Sequence, residues 1–452
     1  MPSPCRFRLL ALVSAALMAS QPASAQSVLR DAETETLLQD MAAPLVAAAG
    51  LNPRNVDIVL LNDPSVNAFV AGGQAIYVNS GLINAADSAA EVQGVIAHEL
   101  GHITGGHTIN DGGGKAATGI SILSLLLGAA AAAAGGGEAA MGVIMAGQQA
   151  AMGKYLAFSR AQEASADAAG MQFLSKAGMS GRGSIGFFKK LQNLEFRYGY
   201  VAKDDDVYYS SHPMTGDRIA TLQDSYERDP AWSKPDDAAI EARFQRVKAK
   251  LYGYLAEPKA TFAAYPAYLT GDSARYARAY GWHKDAHLDK ALAETAALLG
   301  KAPADPFFLE LKGQILLEAG KPAEALAPLR RAVDLSGGQP LIATTLGHAL
   351  IASEDPKNMA EAERVLKVAV ARDRDNPFAW YQLGVVYAAN GDMARARLAS
   401  AEQQIMQLRM PEAMASAQAA EAALPKGTPD WLRAQDIAMQ ARTAIERSRK
   451  RR

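Results

Sequence analysis

The chain has 452 residues, 49% of them hydrophobic, with 46 Lys and Arg against 47 Asp and Glu. That length suggests roughly two or three domains, each able to bury a core, and the net charge of −1 sets up no global field that would draw nucleic acid. At the N-terminus, Arg6 and Arg8 precede an apolar run from Leu9 to Met18, and Ala23-Ser24-Ala25 follows it. This is the pattern of a secretory signal peptide over 1–25, cut after Ala25; the run is too short to span a bilayer comfortably. Removing it leaves a mature charge of about −3. The single cysteine, Cys5, lies ahead of the run, whereas a lipid-anchored cysteine would follow it. The mature chain therefore has no thiol. That excludes a disulfide, a cysteine protease and a thiolate metal site, and leaves His, Asp and Glu to build any transition-metal site.

Asp31 to Gly50 reads as an amphipathic helix. From Val56 the chain reads as short strands, broken at Asp63-Pro64 and Gly72-Gly73. Glu91 to Thr104 is helical in pattern. Within it and just beyond, "VIAHELGHITGGHT" (Val95 to Thr108) holds three of the seven histidines. His98 and His102 stand at i and i+4, on one helix face, and can grip one ion. Glu99 reaches the open side; a zinc ion there would acidify a water, and a glutamate would take its proton. Ordinary histidines on a polar helix face are the competing reading. The apolar lead-in "VQGVIA" argues for a buried helix, where two histidines without a task would be costly.

The third ligand sets the class. In the pattern H-E-x-x-H-x-x-G-x-x-H, Gly105 falls in place but Thr108 takes the last position. His107 is one residue short and reads as a loop histidine or a neighbour of the ligands. "FSRAQEASADAAGMQFL" from Phe158 offers Glu163 and Asp167, again at i and i+4. Glu163 would bind the ion, and Asp167 would accept from a ligand histidine and fix its tautomer. The alternative is a solvated acidic face, against which the surrounding small residues suggest close helix packing.

Between these halves, 116–137 carries no charge and is long enough to raise a membrane span. A single crossing would put His98 and Glu163 on opposite sides, unable to share one ion. The following segment, with Glu138, Gln148, Gln149 and Lys154, makes a poor return span. Apolar helices near the active site, screening the cleft or in peripheral contact with a membrane, are expected instead, with a membrane hairpin as the alternative.

"AEPKATFAAYPAYL" (Ala256 to Leu269) marks a domain boundary. Beyond it lies a repeat. Gly313, Gly347 and Gly384 share one position, 34 and 37 residues apart, with "SEDPKNM" lengthening a turn. Ala325, Ala362 and Ala396 correspond, and Trp380, Leu383, Gly384 and Tyr387 fit W-x₂-L-G-x₂-Y. This resembles tetratricopeptide repeats from about Leu288 onward, a stack of helix pairs presenting a surface to protein partners. The closing "RSRKRR" reads as a basic, frayed tail.

"HELGH", then "SRAQEASADAAG", then "SSHPMTGDRIATL" with His212, Pro213 and Arg218, resembles the gluzincin family that includes the CAAX prenyl endopeptidase and the bacterial protease HtpX. With a signal peptide in front and repeats behind, the likeness is to its periplasmic, BepA-type branch and covers nearly all of the mature chain. The resemblance implies one Zn²⁺ per chain, held by His98, His102 and Glu163, with Glu99 as base. It implies that His212 faces the metal, either as a fourth ligand in a resting state or as a hydrogen-bond donor to the oxyanion. Arg218 would hold the His212 loop, stabilise developing charge, or form a structural salt bridge. Asn67, Ala68 and Phe69 lie on a strand that would pair with extended substrate, or else form an ordinary core hairpin.

The expected fold is mainly α: an α+β zincin-like metallopeptidase domain with a small sheet (26–257), an all-α tetratricopeptide-repeat solenoid (267–446) and the tail (447–452). The expected function is a periplasmic zinc endopeptidase, with chaperone activity as a further expectation. From the BepA-type likeness, its substrates would be misassembled or stalled outer-membrane β-barrel precursors, its repeats would meet the assembly machinery, and nucleic acid would play no part. The rival is a non-proteolytic assembly chaperone or adaptor that works through its repeats with a capped zinc site.

Overall fold

The computed structural model describes residues 27–71, 73–107, 145, 159–198, 212 and 216–450. The expected signal peptide, the uncharged stretch 116–137, Pro213 and the last two residues of the basic tail lie outside them.

Strand β1 (Ser27–Val28) leads into helix α1 (Ala32–Ala48). Asp31 starts the helix, its carboxylate accepting from the Thr34 N–H at 2.7 Å, which satisfies a donor the helix itself cannot. Leu37, Leu38, Met41 and Leu45, at helical spacing, are buried. Strands β2 (Asp57–Asn62), β3 (Ala68–Ala71) and β4 (Ala75–Asn79) complete a four-stranded sheet in the order β1-β2-β4-β3. β2 and β4 pair in parallel, and β3 pairs antiparallel with β4. β3 is thus an edge strand among the described residues. The sheet and α1 enclose a core with the buried side chains Leu60, Ile76, Val78 and Leu82, the last on α2 (Ser80–Ala85).

Helix α3 (Ala89–Gly105) carries both motif histidines. It opens with a reciprocal cap: Ser88 Oγ accepts from the Glu91 N–H at 3.3 Å, and Glu91 Oε2 from the Asp87 N–H at 2.8 Å. Two helices pack on α3 through contacts that only small residues allow. A Cβ on Gly101 would stand 2.8 Å from Ala166 Cα on α4 (159–177), and a Cβ on Gly94 2.6 Å from Ser184 Cα on α5 (Arg182–Tyr198). The close approach at Gly101 sets the distance from α3 to α4, the helix of Glu163 and Asp167. Helix α6 (Gly216–Glu227) packs on α5 and brings Arg218 over α4.

Helix α7 (Ala238–Leu255) and the short α8 (Pro258–Ala264) lead into ten helices that form five antiparallel pairs: α9 (Asp272–Lys284) with α10 (Leu288–Lys301), α11 (Pro306–Glu318) with α12 (Pro322–Leu335), α13 (Pro340–Ala352) with α14 (Met359–Arg372), α15 (Pro377–Ala389) with α16 (Met393–Met406), and α17 (Met410–Ala423) with α18 (Pro429–Lys450). The expected repeat has a physical basis here. Gly313 meets Leu329 of the paired helix, Gly347 meets Leu366, and Gly384 meets Ala399. Helices α11, α13 and α15 each begin with proline behind a capping side chain, Asp305, Gln339 or Asn376. The longer second spacing arises from a 3₁₀ turn at Pro356–Asn358.

The two parts do not meet across an open linker. α7 packs flush on α9, where a Cβ on Gly253 would stand 2.8 Å from Ala277 Cα. Buried Lys250 on α7 binds Asp31 Oδ2 at 2.5 Å and Glu33 Oε2 at 3.3 Å, and the Tyr276 hydroxyl of α9 donates to Glu33 Oε2 at 2.7 Å. Arg246 joins Glu33 to Asp305 at the start of α11. The fold is therefore mainly α, a small-sheet domain followed by a helical solenoid. No helix among the described residues is long and apolar enough to cross a membrane.

Candidate metal centre

Four buried side chains from three parts of the chain converge. His98 and His102 come from α3, Glu163 from α4, and His212 from the segment before α6; one ligand atom from each lies within 4.8 Å of the others. His98 Nε2 is 3.1 Å from His102 Nε2, 3.3 Å from His212 Nδ1 and 3.4 Å from Glu163 Oε2. Glu163 Oε1 is 3.3 Å from His102 Nε2 and 3.0 Å from His212 Nδ1. These atoms are mostly lone-pair donors aimed at one point, a poor arrangement unless a cation sits between them. Four tetrahedral donors about 2.0–2.1 Å from an ion stand about 3.3–3.4 Å apart. The observed spacings of 3.0 to 3.4 Å and the nitrogen–oxygen donor set fit a transition metal.

The outer nitrogens of the α3 histidines are held as well. Asp167, one turn beyond Glu163, accepts from His98 Nδ1 at 2.9 Å, which points Nε2 into the centre. His102 Nδ1 lies 2.9 Å from His107 Nδ1. Arg218 directs its donors to the two carboxylates of α4: Nη2 stands 2.8 Å from Asp167 Oδ1 and 2.9 Å from Glu163 Oε2, and Nε donates to Asp167 Oδ2. Sequence reasoning left Arg218 three roles: holding the His212 loop, stabilising developing charge, or forming a structural salt bridge. The contacts seen are its ion pairs with Glu163 and Asp167.

Glu99 is 1% exposed, and its Oε1 has no hydrogen-bond partner among the described residues. His212 Nε2 is the near polar group, at 3.6 Å. Burial raises the Glu99 carboxyl to about 7, the His98 and His102 charges opposing. Burial alone would lower His98, but hydrogen bonds to Asp167 and Glu163 lift it to about 10. Burial likewise works against ionised Glu163, yet its bonds to His102, His212 and His98 hold it well below the usual carboxylate range. Burial pushes His212 down; burial and then the charge of His102 push His107 down.

At the sheet edge, Asn67 and Ala68 are buried and Phe69 stacks on Tyr77 at 5.1 Å between centroids. β3 packs against α3, which sets the free edge beside the helix that carries the histidines. The sequence left His107 as a loop histidine or a neighbour of the ligands, and the structure sets its ring beside His102.

Residues 29–226 match the model of Peptidase family M48. The chain carries an M48 peptidase domain. Its similarity to curated proteins runs well past that domain. The chain is 24% identical to the beta-barrel assembly-enhancing protease of Yersinia pestis, over 90% of this chain and 83% of the relative. It is 23% identical to the protein of that name in Escherichia coli (strain K12), over 82% and 75%. Metalloprotease YcaL of the same organism is 27% identical over 40% of this chain and 67% of its own length. The M48 domain with its metal-capable centre makes this chain a metallopeptidase, and the helical pairs behind it make it a repeat-bearing one.

Proposed function

We propose that this is a zinc endopeptidase of the periplasm, acting on misassembled or stalled outer-membrane β-barrel precursors, with the repeats docking on the assembly machinery. The N-terminal signal pattern and the names of the Yersinia pestis and Escherichia coli relatives support the compartment and the substrate class. The catalytic half rests on one observation, the buried quartet of His98, His102, Glu163 and His212 with Glu99 beside it, whose Oε1 has no hydrogen-bond partner among the described residues.

His98, His102 and Glu163 would hold the ion. When bound, zinc supplies a Lewis acid that polarises the scissile carbonyl and acidifies water. Glu99 Oε1, buried and without a hydrogen-bond partner among the described residues, takes the proton of the attacking water and passes it to the leaving nitrogen. The edge of β3, reached through Asn67, Ala68 and Phe69, pairs with an extended substrate strand. Unpaired strands of a stalled barrel are suited to that edge.

His212 points Nδ1 into the donor set, at the corner a substrate needs. This is the geometry of a resting, capped site, and cleavage requires His212 to move aside. The same observation favours the second reading, a permanently capped adaptor. Zinc content and casein cleavage separate the two. Wild type and both variants, Glu99→Gln and His212→Ala, are expected to carry one zinc. Glu99→Gln loses activity by about 10²–10⁴-fold, and His212→Ala cleaves faster than wild type. Zinc-loaded wild type and His212→Ala that are equally inert would sink the protease and leave the adaptor.

A further inference from the structure

The geometry points to His107 as the residue that fixes the tautomer of His102, and so presets the second ligand of the metal centre. This rests on the reading of His102 as a ligand through Nε2. A neutral imidazole that binds an ion through Nε2 carries its proton on Nδ1, and that proton needs an acceptor. For His98 the acceptor is the Asp167 carboxylate. For His102 it is His107 Nδ1, at 2.9 Å. The two rings meet edge to face, with centroids 5.0 Å apart and planes at 75°.

The chain builds this contact with three consecutive residues. Gly106 ends α3 in the left-handed region at φ 64°, a conformation that favours glycine. That turn reverses the backbone, and the His107 N–H donates to the His102 carbonyl at 3.1 Å. The side chain then folds back along the helix end. Its ring lies over Gly105, where a Cβ would stand 2.7 Å from His107 Cε1. Gly105 leaves room for the ring, Gly106 turns the chain towards it, and His107 supplies the acceptor. The spacing that disqualifies His107 as a ligand is what puts its ring behind one.

The two ligand histidines are therefore held differently. His98 donates to a charged carboxylate, whereas His102 donates to a neutral ring whose own proton sits on Nε2. A neutral acceptor leaves less charge on the ligand nitrogen and keeps the ion the stronger Lewis acid.

The test is metal affinity, measured by chelator competition with Zn²⁺ and with Co²⁺, together with the visible spectrum of the Co²⁺ form and the melting temperature of the metal-free protein. Asn Oδ1 occupies the place of histidine Nδ1 relative to the backbone, so His107→Asn keeps the acceptor and His107→Leu removes it. His107→Leu is expected to weaken both metals about 10–100-fold and alter the Co²⁺ spectrum, with metal-free melting unchanged. His107→Asn should stay within about threefold of wild type. Gly105→Ala, which displaces the ring, should weaken binding like His107→Leu and add nothing to it in the double variant. Equal affinity in wild type and His107→Leu would overturn the assignment, as would an Asn variant as weak as the Leu variant. Wild type that binds neither metal would instead overturn the metal-site reading, and this inference with it.

Discussion

Three carboxylates are buried close together in this site, and Arg218 is the cation set against two of them. Its guanidinium bridges Glu163 and Asp167, with side chains 11%, 6% and 4% exposed respectively. Removing one partner of a buried ion pair leaves charge uncompensated, at a cost of about 3–5 kcal/mol. A bound divalent ion would itself offset the charge of Glu163 and, through His98, that of Asp167. Arg218→Leu should therefore destabilise the metal-free protein by about 3 kcal/mol, and the deficit should shrink when zinc is added. Denaturant midpoints with and without zinc check this. A metal-free midpoint unchanged from wild type would show that the bridge holds nothing in place.

At the scale of elements, most of the fold could be read in advance because local chemistry writes it. Asp31 and Ser88 are capping residues that begin α1 and α3, Gly106 ends α3, and Asp63-Pro64 and Gly73 fall between strands. The repeat was legible through Gly313, Gly347 and Gly384, because each must admit the neighbouring helix. Glu163 and Asp167 could be paired by their spacing on one face. Other features depend on groups far apart in sequence. Nothing local to Gly101 says that Ala166 will rest on it, and nothing near Arg218 says that its fork will close on α4 rather than on substrate. The sequence left two roles for His212; the direction of its Nδ1, beside His98 and Glu163, is a property of the assembled site. For His107 the sequence kept two readings, a loop histidine or a neighbour of the ligands; the ring nitrogen it turns towards His102 is again a property of the assembled site.

The whole molecule is held at a charged junction. Lys250 and Glu33, with side chains 6% and 4% exposed, sit where α1, α7 and α9 meet, and Arg246 ties Glu33 to Asp305 of the solenoid. A second tie, Arg30 to Asp373 at 3.0 Å, reaches further along the repeats. These ties join the solenoid to the domain that carries the metal centre. Burial alone would lower the Lys250 pKa, but Asp31 and its neighbours raise it well above the ordinary value. A raised lysine contributes stability that is fully present below about pH 10.4 and is lost as pH rises through the folded value. Lys250→Met should cost about 3–5 kcal/mol near neutral pH, and that cost should narrow above about pH 10.4. Chemical denaturation across pH checks both points; a cost independent of pH would show packing, rather than charge, at work.

The central claim is that one zinc ion sits among His98, His102 and Glu163 with His212 closing the fourth corner. An anomalous-scattering map recorded on either side of the zinc edge, on crystals of the zinc-loaded resting protein, tests it most directly. The account predicts a single peak about 2.0–2.2 Å from His98 Nε2, His102 Nε2, a Glu163 oxygen and His212 Nδ1. A peak that leaves out Glu163 or either α3 histidine, or no peak in zinc-loaded crystals, would contradict it.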